Sequence, residues 1–165
     1  MDVYAEQILD HYRHPRGKSR LAQPSISHEE VNHSCGDALT VDLLIQERAI
    51  EVVGWDGTGC AISQAGMSML CEELTGKTID EVNTLGEQNI RTMLGVSIGQ
   101  RRSKCALLCL HTLKNAIRKF QSLPPQSWME TAGRLCPPQP DGEKRIESGS
   151  DHELRPIRQY NSSTP

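Results

Sequence analysis

The chain has 165 residues, a mass of 18.4 kDa and a formal charge of −3, with 36% hydrophobic and 4% aromatic residues. That length carries one domain with one core, and the low apolar content implies that part of the chain stays outside it. The acidic balance excludes a phosphate-neutralising nucleic-acid surface, and no run approaches the roughly 20 apolar residues that cross a bilayer.

The polar start from Met1 to Asp10 does not resemble a secretory signal, so the chain is read as cytosolic. Its six cysteines would then stay reduced, which points to metal or sulfur chemistry rather than disulfides.

From Met1 to His14 the residues Val3, Tyr4, Ile8, Leu9 and Tyr12 recur at helical spacing until Pro15 and Gly17 end the pattern. Alternation over Ala38 to Gln46 places Leu39, Val41, Leu43 and Ile45 on one face, and the β-rich run Ala49 to Trp55 completes a hairpin. Ser25 to His33 supplies a third strand, because two strands alone are marginal in water. Ala61 to Leu74 reads as a helix with Ile62, Ala65, Met69 and Leu70 toward one side and Gly76 as its stop. Short segments follow around Thr78 to Asn83 and Asn89 to Leu94. A last helix runs from Ser103 to Phe120 with the stripe Ala106, Cys109, Leu110, Leu113, Ile117 and Phe120. The expected class is α+β, a small three-stranded antiparallel sheet covered by helices over residues 1–123. Prolines, glycines and polar residues make 124–165 an expected disordered tail.

Three thiols and one carboxylate stand at junctions between these elements. Cys35-Gly36-Asp37 sets a thiol and a carboxylate two positions apart, with a glycine that would leave room for a metal. Gly57-Thr58-Gly59-Cys60 delivers a thiol through a flexible turn to the start of a helix, where the unpaired amides favour thiolate. Cys105 follows Arg101, Arg102 and Lys104, whose charges should lower its pKa further. Together Cys35, Asp37, Cys60 and Cys105 form the kind of four-ligand set that tetrahedral zinc or iron accepts. The other cysteines read otherwise. Cys109 falls on the apolar stripe, Cys71 lies roughly 16 Å along the helix from Cys60, and Cys136 sits in the proline-rich tail. His33 is read as an exposed strand-end side chain, with metal ligation its lesser alternative.

These segments resemble the IscU, SufU and NifU amino-terminal family of iron–sulfur cluster assembly proteins. The resemblance is carried by Asp10-His11-Tyr12 with Pro15-Arg16, Cys35-Gly36-Asp37, Gly59-Cys60-Ala61-Ile62-Ser63 and Lys104-Cys105-Ala106, in order over about residues 1–120. It implies that the three cysteines and the aspartate hold zinc or a [2Fe–2S] cluster, that a cysteine desulfurase supplies sulfur as a persulfide, and that acceptor apoproteins receive the product. Lys104 stands where IscU-type members carry histidine, which favours a SufU-like ligand set. The short stretch between Cys60 and Cys105 leaves little room for the helical insertion of sulfurtransferase-type members. The Leu-Pro-Pro-Val-Lys chaperone segment of IscU is replaced by Val96 to Arg102.

The expected function is therefore a scaffold. Cys35 accepts sulfur, Cys60 and Cys105 anchor iron or the nascent cluster, and Asp37 is a weak, exchangeable ligand. One alternative is a zinc-dependent sulfurtransferase that accepts persulfide and builds no cluster. Another is a binding module in which zinc only staples the fold.

Overall fold

The computed structural model describes residues 2–133. The Asp2 carboxylate accepts a hydrogen bond from the Tyr4 amide and opens α1 (Val3–Arg13). Of the expected apolar face only Ile8 is buried, whereas Val3, Tyr4, Leu9 and Tyr12 remain exposed. His11 takes the second inward position, with Nδ1 2.8 Å from Ser68 Oγ. A polar pair thus fixes α1 where the sequence pattern suggested an apolar stripe.

Strands β1 (Ile26–Asn32), β2 (Asp37–Gln46) and β3 (Ala49–Thr58) form an antiparallel sheet in that order. Glu47 and Arg48 both adopt positive φ, as a tight two-residue hairpin turn demands. Leu39, Val41 and Leu43 are fully buried on the inner face with Trp55, which pairs with Val41. Ile45 is only partly buried, because the register shifts between Leu44 and Ile45.

Helix α2 (Ala61–Leu74) has the predicted bounds but not the predicted one-sided stripe. Residues Ser63 to Cys71 are buried in succession, since α2 packs against α1, α5 and β3. Ser68 Oγ also accepts the Arg16 amide at 2.8 Å, and Gln64 Oε1 accepts from Lys18 Nζ at 3.1 Å, while Gln64 Nε2 is buried without a partner. The short helices α3 (Ile79–Thr84) and α4 (Glu87–Leu94) follow, the first opened by a Thr78/Glu81 capping box and the second closed by Gly95 at φ +66.

Helix α5 (Ser103–Phe120) is the axis of the fold, buried at every position from Cys105 to Ile117. It lies against β1, β2 and α2. Phe120 does not complete the stripe and is 40% exposed, one turn beyond the covering elements.

Past Leu123 the chain makes one more turn, α6 (Trp128–Thr131), so packed structure continues to Gly133. The Trp128 ring stacks on His111 with centroids 3.9 Å apart, and fully buried Thr131 holds His111 Nδ1 at 2.7 Å. The rest of the expected tail, 134–165, lies outside the described residues. The architecture is the α+β arrangement expected, and among the described residues no helix is long and apolar enough to cross a membrane.

Deleting everything after Leu123 should lower the urea midpoint, because α6 covers His111. Deletion after Gly133 should leave it unchanged, and Trp128→Ala should cost about 1–2 kcal/mol in the same measurement.

Candidate metal centre

One end of the sheet gathers the four junctions. Asn32 pairs with Asp37 across the β1–β2 turn, and Ala38 pairs with Thr58, so β3 leaves the sheet beside the place where β2 enters it. Cys35 lies on the turn, Asp37 begins β2, and Cys60 is the N-cap of α2 with no side-chain capping bond. A 3₁₀ turn, Gln100–Arg102, brings Cys105 into the first turn of α5 at the same end.

One ligand atom each from Cys35, Asp37 and Cys105 lies within 4.8 Å of the others. The Sγ atoms of Cys35 and Cys105 are 3.5 Å apart. Cys60 stands outside that tight trio but lines the same pocket as Cys35 and Cys105, with Arg101 and Arg102 at the rim. Its Sγ is 3.7 Å from Ser63 Oγ. Cys35 and Cys60 are exposed, while Cys105 and Asp37 are each 5% exposed. The centre therefore has a buried floor and an open mouth.

Burial alone would raise the Asp37 pKa, but hydrogen bonds with Ser63, Cys60 and Cys35 hold it below the usual carboxylate value. Its Oδ2 is buried without a hydrogen-bond partner. A buried carboxylate with one oxygen left without a donor, one of whose oxygens lies within 4.8 Å of the Cys35 and Cys105 thiols, fits a cation. The expected lowering of Cys105 is overturned. Burial, the Cys35 hydrogen bond and the charges of Cys60, Cys35 and Asp37 push its thiol up to about 12. The three cations do not reverse this. Arg101 and Arg102 are exposed at the rim, and the Lys104 ammonium sits over the Trp128 ring, 5.8 Å from its centroid. A divalent cation offers these crowded acids the compensation that the side chains withhold.

The glycines serve differently from the expectation. Gly36 has φ +80 with no protein atom close to where a Cβ would stand, so the turn itself calls for a glycine. Gly57 and Gly59 are not flexible spacers but places of close approach. A Cβ on Gly57 would collide with the Ala38 carbonyl oxygen, and one on Gly59, at φ +153, would meet Asp37 Cγ at 2.6 Å and Ser63 Oγ at 2.7 Å.

The other candidates separate as the sequence suggested. Cys109 is fully buried and donates to the Ala106 carbonyl at 3.4 Å. Cys71 is buried, its thiol pushed up to about 11 by burial and then by Glu72. His33 is exposed and outside the trio, and Cys136 lies outside the described residues. Sequence reasoning overlooked Asn32, which touches both Cys35 and Cys105. The available signal was an asparagine two residues before Ser34, the spacing of an Asx turn.

Residues 3–126 match the NifU-like N terminal domain family, and the chain belongs to it. It is 29% identical over 134 residues to the iron-sulfur cluster assembly scaffold protein IscU of Thermotoga maritima, covering 72% of this chain and 94% of that one. It is 28% identical to the zinc-dependent sulfurtransferase SufU of Bacillus subtilis, covering 71% and 90%. Among solved structures, a putative iron-sulfur cluster assembly scaffold protein for the SUF system from Fervidobacterium islandicum superposes with a TM-score of 0.62 at 28% identity, covering 68% of this chain and 94% of that one.

Gly59→Ala should lower the urea midpoint of the metal-free protein, because φ +153 is strained for an L side chain and the added Cβ would press on the buried Asp37 and Ser63 side chains. Calorimetric titration with zinc should show binding weakened at least tenfold, since the displaced carboxylate is a candidate ligand.

Proposed function

We propose that the chain is an iron–sulfur cluster assembly scaffold that takes sulfur from a cysteine desulfurase, holds iron and a nascent [2Fe–2S] cluster as cargo, and passes the cluster to acceptor apoproteins. The observation that carries this reading is the trio of Cys35, Asp37 and Cys105 within 4.8 Å, with Cys60 on the same pocket wall. Family membership and the scaffold relative agree with it.

In this reading the four side chains have different tasks. Cys35 is exposed on a turn and can meet a partner's persulfide. Its thiolate attacks the outer sulfur, the partner's S–S bond breaks, and the partner's cysteine departs as thiolate, leaving Cys35 with the persulfide. Cys105 is buried on the most enclosed helix and Cys60 caps α2, so these two anchor the cargo. Asp37 is the hard oxygen donor in a soft set, and an incoming thiolate displaces it more readily than it displaces a cysteine sulfur.

A second reading, a zinc-dependent sulfurtransferase that accepts persulfide without building a cluster, is supported by Lys104 in the position before Cys105 and by the SufU relative. Anaerobic purification followed by iron, zinc and acid-labile sulfide analysis separates the two. Iron with sulfide supports the scaffold; zinc without sulfide, persisting after incubation with iron and a desulfurase, supports the alternative.

Cys35→Ser should abolish transfer of radiolabelled sulfur from a cysteine desulfurase while zinc binding persists with reduced affinity. Retention of label on the variant would move sulfur acceptance to another thiol.

Asp37→Ala keeps all three thiols, so a cluster should still assemble, and its passage to apo-ferredoxin should slow several-fold when followed by visible absorbance. Transfer at the wild-type rate would remove Asp37 from the release step.

A further inference from the structure

Asn32 closes β1 opposite Asp37 and is 2% exposed. Its Nδ2 donates to Cys105 Sγ at 3.7 Å, and its Oδ1 accepts the Ser34 amide at 3.2 Å. Its main-chain carbonyl accepts the amides of Cys35 at 3.1 Å and Gly36 at 2.8 Å, and the Cys35 thiol at 3.8 Å. One residue thus grips the exposed thiol by its backbone and the buried thiol by its side chain. Among the described residues it is the one amide that donates to Cys105 Sγ.

We propose that Asn32 is a positioning residue of this centre, whose side-chain amide tunes the Cys105 sulfur and ties it to the turn that carries Cys35. This rests on the metal-centre reading of the site and goes beyond it, because it assigns control to a residue that is not itself a ligand.

The chemistry follows from the direction of the bonds. An N–H pointed at a thiolate withdraws electron density from the sulfur, weakens its donation to a bound metal and favours the reduced state of a cluster. The same side chain uses its oxygen to fold residues 32–34 into an Asx turn, which sets where Cys35 stands. A buried amide is tolerated here because both its ends are engaged. Any shift of the Cys35 turn is thereby transmitted to the donor on Cys105, and the arrival of sulfur at the mouth is felt at the floor.

Cobalt(II) provides a test that needs no cluster, since thiolate-to-cobalt charge-transfer absorption reports directly on the sulfurs. Wild type, Asn32→Ala and Asn32→Ser would be titrated with cobalt chloride without oxygen, after circular dichroism of the metal-free proteins. A serine at 32 can still accept the Ser34 amide through the equivalent short turn, but it cannot reach Cys105. Both variants should move the charge-transfer band to longer wavelength, because a sulfur that has lost its N–H donor gives up electron density more readily. After reconstitution, both should hold a cluster of more negative reduction potential. A serine variant that matches wild type in the position of the band overturns the proposal, even if the alanine variant differs, because only the turn would then matter. Two variants that lose the native dichroism also overturn it, by making Asn32 a folding residue. If wild-type protein develops no thiolate charge-transfer band, the metal-centre reading itself falls, and the Asn32 role with it.

Discussion

Three proton-binding groups within 4.8 Å of one another at the closed end of a sheet cannot all carry charge unless a cation joins them. The rest of the centre answers to that constraint. Cys105 answers by holding its proton up to about 12. Asp37 answers by remaining ionised on hydrogen bonds from its neighbours while one oxygen stays unpartnered. The protein keeps its own cations at the rim or turned elsewhere, with Lys104 over Trp128 and Arg101 and Arg102 exposed. A fold that neutralised the trio with a buried lysine would be better balanced when empty, and would have less to gain from a metal.

Rigidity is distributed to suit such a centre. The floor is borne by α5, which is buried from Cys105 to Ile117 and walled by β1, β2, α2 and α6. Such a helix cannot move without repacking the whole core. The mouth is borne by a turn held through backbone bonds to Asn32 and by a glycine in open space. Between them, Asp37 packs into the space that Gly59 leaves by having no Cβ. The two kinds of support let a ligand at the mouth change partner while the floor keeps its place.

Element order, the hairpin and the bounds of α2 and α5 were legible because alternation and helical spacing act locally. Ala61–Leu74 and Ser103–Phe120 are bounded by glycine, turns and loss of apolar period, which one chain reveals. All-round burial was not legible. Ser63, Gln64 and Ser68 look like a polar face until α1 and α5 close over them. The inward role of His11 and the outward one of Tyr4, Leu9 and Tyr12 likewise depend on what lies across the interface. The four candidate ligands could be picked out as residue types at junctions. That Cys60 stands apart from a closer trio, and that Cys105 is held protonated, depends on distances between segments far apart in sequence. Asn32 was hidden for the same reason, since its partner Cys105 belongs to another element.

The cysteines of α2 and α5 show how little residue type decides alone. Cys105 and Cys109 sit one turn apart on α5, both buried and both with pKa values pushed to about 12. For Cys109 the cause is burial, with only weak backbone relief, and its thiol is answered by the Ala106 carbonyl. For Cys105 burial is joined by two other thiols and a carboxylate. The first is a small apolar side chain whose proton nothing competes for. The second shares its space with acids that a cation would satisfy together, and one helical turn toward the end of the sheet makes that difference. Buried thiols of equal reluctance to ionise thus have opposite prospects, and what separates them is whether their neighbours are carbon or other acids.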